Sequence, residues 1–108
     1  VQEHDKMIGY VSQLCHAIAA ALMIAEDNTS LAEYTGDSFR DLTRIARLND
    51  KMWAELFLWN KENLINQIDQ FDMALQTIKK AMEDDDREKL ERLFQLSTKR
   101  RALFDKKQ

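Results

Sequence analysis

Proline is absent from this chain, and glycine occurs only at Gly9 and Gly36. Standing far apart, these two glycines cannot build a Gly-rich phosphate loop of either the dinucleotide or the nucleoside-triphosphate type. Turns are therefore scarce, which excludes a sandwich or barrel of many short strands. Cysteine occurs once, as Cys15, so no intrachain disulfide can form. That fits a reducing cytoplasm. There is no basic excess to hold nucleic acid, because the net charge is −3 and the sequence pI is about 5.4. The longest strongly apolar run, residues 17–25, is too short to span a bilayer, and no signal-peptide pattern precedes it. What is present is 44% hydrophobic and 32% charged residues in a chain of 108. This composition predicts one all-α domain with a solvated outer face. The first residue is Val1, not methionine, so the chain is expected to be a piece of a longer polypeptide.

The apolar spacing predicts four long helices. Met7, Ile8, Val11, Leu14, Cys15, Ile18, Leu22 and Ala25 recur at three- and four-residue steps, giving a first helix over residues 5–25. Residues 29–38 are less regular, with room for a short helix at 31–34 and a break at Gly36, where positive φ is cheap. A second helix covers residues 39–48, capped by Asp37 or Ser38, and Asn49-Asp50 makes the next break. The third helix runs over residues 51–83, with Phe57, Leu64, Ile68, Phe71, Leu75, Ile78 and Met82 as a heptad-like stripe. Asp84-Asp85-Asp86 forms a turn and an N-cap for a fourth helix over residues 87–104, with Leu90, Leu93, Phe94, Ser97 and Arg101 on one face and a frayed Lys106-Lys107-Gln108 beyond.

The third helix, at about 33 residues, would be about 50 Å long. A compact domain of this size is only about 35 Å across, so the helix overhangs its own core. A second copy of the chain is the simplest cover for the apolar stripe. A kink, or packing wholly within the chain, is the other way to cover it.

Few side chains point to chemistry. Ser12 and His16 are i,i+4 neighbours on the first helix, with His4 two turns before Ser12. A zinc site would need further ligands, and the chain has no cysteine pair and no third histidine. A lone histidine among apolar Leu14, Cys15 and Ile18 is more often a hydrogen-bonded core residue than a functional one. Arg40, Arg44 and Arg47 fall at i, i+4 and i+7 as a basic face, with Asp41 placed to pair with Arg44. Arg44, beside Ile45 and Leu42, is expected to be partly buried and to hold a planar anion, either an internal carboxylate or a ligand. Trp53 and Trp59 are core or interface anchors, and Asn60 in an apolar neighbourhood invites a specific hydrogen bond. Lys99-Arg100-Arg101 suits the C-terminal end of a helix.

Three segments together resemble the C-terminal helical domain of prephenate dehydrogenases. They are His4-Asp5 followed by Val11-Ser12-Gln13-Leu14-Cys15-His16, then Phe39-Arg40-Asp41-Leu42-Thr43-Arg44-Ile45-Ala46, and then Met52-Trp53 with Asn60 beyond. The resemblance implies an all-α domain of the 6-phosphogluconate dehydrogenase C-terminal-like type, with one long central helix in an intertwined homodimer. It implies that residues 1–108 are a single dimerisation domain, and that the N-terminal Rossmann domain, which holds the NAD or NADP and the catalytic histidine, lies outside this chain. It implies oxidative decarboxylation of prephenate to 4-hydroxyphenylpyruvate on the route to tyrosine, with arogenate as the substrate in some members instead. It assigns His16 and Ser12 to the substrate, Arg44 to a substrate carboxylate, Trp53 to the pocket wall and Asp41 to the pocket entrance, reached across the dimer. The chain alone is then expected to be inactive.

The chain departs from the family at two motifs and in the gap between His16 and Phe39, which is short for the family. Gln13-Leu14-Cys15-His16 stands where members commonly carry His-Leu-Pro-His, and Gly36-Asp37-Ser38 replaces a more Gly-rich run. Two other readings compete: the helical domain of another 6-phosphogluconate-dehydrogenase-like oxidoreductase, and a non-enzymatic dimer or adaptor built on the stripe from Phe57 to Met82.

Overall fold

The computed structural model describes residues 3, 7, 9–25 and 36–105. His4, Asp5, the expected short helix at 31–34 and the expected fraying at 106–108 lie outside the described residues. Every described element is helical, as the composition predicts, and among the described residues there is no strand. No helix there is long and apolar enough to cross a membrane. The chain divides into two compact units, Val1–Ile68 and Asp69–Gln108.

In the first unit a π-helical turn, Gly9–Gln13, runs directly into α1, Leu14–Ala25. Alanine fills much of α1, and Ala is the best helix former. Its small side chains also let neighbours approach: Ala19 is fully buried and Leu14 nearly so. α1 packs on α2, Asp37–Thr43, and on the 3-10 turn Arg44–Ala46 that follows it.

α2 starts earlier and ends sooner than the sequence suggests. Gly36 is the N-cap, so Asp37 and Ser38 are already inside the first turn, where the Asp37 carboxylate favours the helix dipole. Gly36 has φ −93°, an ordinary extended value, so the expected positive φ is not used. At the other end the Thr43 hydroxyl donates to the Phe39 carbonyl at 2.7 Å, and the Arg44 N–H turns to the Asp41 carbonyl. That i→i−3 bond tightens the chain into a 3-10 turn. Arg47 is then extended, so the expected continuous basic face of Arg40, Arg44 and Arg47 does not form.

α3, Asp50–Trp59, begins at Asn49, whose side-chain oxygen accepts the Met52 N–H at 3.1 Å. The expected helix over residues 51–83 is interrupted at Asn60, with φ −108° and ψ 33°, and resumes as α4, Lys61–Glu83. Asparagine competes for backbone geometry through its side chain, and here that side chain is drawn into a buried hydrogen-bond network. α4 has 23 residues, about 35 Å of helix. At that length α4 does not outrun a compact domain about 35 Å across, so its length alone does not call for a covering partner. Exposure of the stripe is a separate matter: Leu64 is buried and Ile78 half-buried, but Phe71, Leu75 and Met82 are 39%, 53% and 61% exposed.

In the second unit, residues 69–83 of α4 lead by a tight turn to α5, Arg87–Asp105. The Asp86 N–H donates to the Ala81 carbonyl at 2.8 Å and the Asp85 N–H to the Met82 carbonyl at 3.1 Å. This is a Schellman turn, with Asp85 in the left-handed position at φ 53°. The Asp86 carboxylate accepts the Lys89 N–H at 3.1 Å, the N-cap expected of it. Leu90 and Leu93 are half-buried, while Phe94 and Arg101 are exposed. Arg101 pairs with Asp105 at 2.9 Å and lies over the Phe104 ring.

Candidate functional site

The candidate residues all lie in the first unit, and the structure gathers them into two groups. His16 on α1 stacks on Trp53 of α3, with ring centroids 4.0 Å apart and planes at 22°. Phe57, one turn beyond Trp53, meets the indole edge-on at 6.1 Å. This geometry gives an aromatic pair about 0.5–1.5 kcal/mol beyond its buried area. The His16 Nδ1 lies 2.8 Å from the Ser12 carbonyl. A carbonyl only accepts, so Nδ1 carries the hydrogen and donates it. The hydrogen bond thereby fixes the tautomer and leaves Nε2 as the second functional atom. When neutral, Nε2 accepts a proton or a hydroxyl hydrogen bond; when protonated, it donates to an anion.

The second group lines an open cavity of about 590 Å³ between α1 and the α2 segment. Its walls are Cys15 and Ile18 on one side and Ser38, Asp41, Leu42, Arg44 and Ile45 on the other. Arg44 and Asp41 thus share one cavity, with apolar Leu42 and Ile45 beside them. Arg44 is exposed, against the expectation of partial burial, because it sits on the tight 3-10 turn and not inside a helix. Asp41 and Arg44 do not form an ion pair among the described residues. The Arg44 guanidinium is therefore not committed to Asp41.

Ser12 enters the site through its carbonyl, which orients His16. His16 and Trp53 are not part of the cavity wall, so the two groups are separate features of the same unit. Cys15, the residue before His16, faces the cavity, and the sequence gives no sign of that beyond its place on α1.

A third group was only half legible. Asn60 makes the specific hydrogen bond its position invites: its Nδ2 donates to Gln13 Oε1 at 2.8 Å. Gln13 Nε2 donates in turn to the Leu56 carbonyl at 3.2 Å, and Asn63 Nδ2 donates to Asn60 Oδ1 at 3.0 Å. Gln13 and Asn60 are only 3% and 5% exposed. Nothing in the spacing marked Gln13 as the partner, because a glutamine at the start of a helix is usually solvated.

The Rossmann phosphate motif needs a strand leading through closely spaced glycines into a helix N-terminus. Among the described residues every element is helical, and Gly36 caps a seven-residue helix from an extended conformation.

Among the described residues every element is helical, Arg44 lies on the wall of an open cavity, and a tautomer-fixed His16 stacks on Trp53, which together define a helical domain. More narrowly, the chain belongs to the prephenate dehydrogenase dimerization-domain family, whose description matches residues 1–96. It is 31% identical over 109 aligned positions to the prephenate dehydrogenase of Lactococcus lactis, covering 96% of this chain and 31% of that protein. It is 29% identical over 98 positions to that of Bacillus subtilis, covering 86% of this chain and 26% of that protein. The chain therefore spans less than a third of the length of these curated relatives. Among solved structures, it is similar to a prephenate dehydrogenase from A. aeolicus determined with hydroxyphenyl propionate and NAD+. That match has a TM-score of 0.79 and 34% identity, over 94% of this chain and 38% of that one. Synechocystis arogenate dehydrogenase shares the fold, with a TM-score of 0.84 at 20% identity over 94% of this chain and 39% of that one.

Proposed function

We propose that this chain is the dimerising, substrate-binding part of a prephenate dehydrogenase, which oxidatively decarboxylates prephenate to 4-hydroxyphenylpyruvate with NAD. The observation that carries the reading is Arg44, exposed on a cavity wall in a chain of this family. Prephenate is a dianion, and a guanidinium forks onto a carboxylate with two parallel hydrogen bonds. Arg44 holds one carboxylate. His16 meets the substrate through Nε2, because its Nδ1 is held by Ser12. Trp53 is the apolar wall behind the imidazole, and Asp41 flanks the cavity beside Arg44. The dinucleotide, NAD by likeness to the A. aeolicus complex, binds a separate part of the full-length enzyme.

The chain pairs with a second copy through the exposed part of the Phe71–Leu75–Met82 stripe, in keeping with the family's description as a dimerization domain. A non-enzymatic adaptor is disfavoured, because it leaves the Arg44 cavity without a use. The test is the full-length protein. It should carry a strand, a Gly-x-Gly-x-x-Gly turn and a helix before Val1, and should form NADH from prephenate. Lack of that unit, or no NADH from a folded full-length protein, refutes the reading.

A further inference from the structure

The His16–Trp53 stack joins α1 to α3, and one turn away the same two stretches of chain are joined again. Gln13 lies three residues before His16; Leu56 and Asn60 lie three and seven residues after Trp53. Gln13 Nε2 donates to the Leu56 carbonyl, and Gln13 Oε1 accepts from Asn60 Nδ2. The two segments therefore run antiparallel along one line, with an amide bridge at one level and a ring stack at the next. The bridge is buried, so exchanging it for water is costly and an orphaned amide there is destabilising. The backbone breaks regularity at both ends of the bridge. Gln13 closes the π-helical turn and Asn60 interrupts the helix between α3 and α4. Such departures from α-geometry persist where the surrounding structure holds them.

We infer that Gln13 and Asn60 are positioning residues: their buried amide bridge sets the spacing of α1 and α3 at which His16 stacks on Trp53. The stack has few degrees of freedom of its own. Ser12 fixes the imidazole from its own helix, so the remaining variable is where α3 places the indole. Leu56, whose carbonyl takes the Gln13 amide, lies one turn from Trp53 on the same helix. The inference deepens the proposed substrate role of His16, on which its functional meaning rests, but its test needs no substrate and no cofactor.

The test is the NMR shift of the His16 ring protons, which an indole in stacking contact moves upfield through its ring current. In the unaltered chain these protons should lie upfield of their unfolded-state position, and Trp53→Leu should abolish the displacement. Gln13→Met keeps length and volume but loses both hydrogen bonds; the upfield displacement should be lost while helical circular dichroism is retained. Gln13→Glu keeps an acceptor for Asn60 Nδ2 but turns a carboxylate oxygen onto the Leu56 carbonyl, so the displacement should be lost there too. A folded Gln13→Met or Gln13→Glu variant with the displacement intact overturns the inference. If Gln13→Met does not fold, Gln13→Asn replaces it, being one methylene too short to reach both partners. Loss of the displacement there supports the inference, and its retention refutes it. Kinetic failure of the full-length enzyme as a prephenate dehydrogenase leaves this measurement untouched, so the two readings fail separately.

Discussion

His16 lies flat against Trp53, 37 residues away in sequence, with ring centroids 4.0 Å apart. The contact is direct, so its two members should be energetically coupled. In a double-mutant cycle on the chain, His16→Ala and Trp53→Ala should show a coupling of about 0.5–1.5 kcal/mol. Urea denaturation measures it; a coupling indistinguishable from zero contradicts the stack.

Gly36 is the N-cap of α2 with an ordinary extended backbone, and a Cβ added there meets nothing within 4 Å. Gly36→Ser supplies the missing cap side chain and reduces the freedom of the unfolded chain. It should stabilise by about 0.5–1 kcal/mol. A lower midpoint of thermal unfolding contradicts this geometry.

The opposite exchange applies at Asp85, the non-glycine residue in the left-handed position of the α4–α5 turn. A side chain there is strained, and three successive aspartates follow Glu83 at a helix C-terminus, where negative charge is unfavourable. Asp85→Gly should stabilise the chain by about 0.5–1 kcal/mol, again read by thermal unfolding. Destabilisation would mean that the Asp85 side chain makes a contact that outweighs its backbone strain.

Where the sequence spoke plainly, it spoke through short-range chemistry. Asn49 and Asp86 are capping residues by type and position, and both cap. Thr43 and Asn60 were harder. Each ends or interrupts a helix that the apolar period would carry onward, by turning a side chain onto the backbone or into the interior. Periodicity records which residues are apolar and cannot see a single side chain competing for a carbonyl. The same limit explains Arg44. Its neighbours Leu42 and Ile45 suggest burial if the helix continues, yet a 3-10 turn rotates the guanidinium outward into the cavity. Gln13 was invisible for another reason: its partners lie 43 and 47 residues away, and no local pattern encodes them.

The exposed stripe on α4 sets the test for pairing. Leu75 is 53% exposed in the single chain, so Leu75→Arg should cost a monomer almost nothing. If the stripe is the interface, the unaltered chain should scatter light as about twice 12.7 kDa, and the variant should dissociate at micromolar concentration. A clean monomer for the unaltered chain contradicts pairing.

The central claim is that Arg44 holds a carboxylate of the substrate. In the full-length enzyme, steady-state kinetics of Arg44→Ala with prephenate is the most direct measurement. Loss of a charged hydrogen-bonding pair costs about 1.5–3 kcal/mol, so KM for prephenate should rise about 10- to 100-fold while kcat changes far less. An unchanged KM in a folded variant contradicts the account.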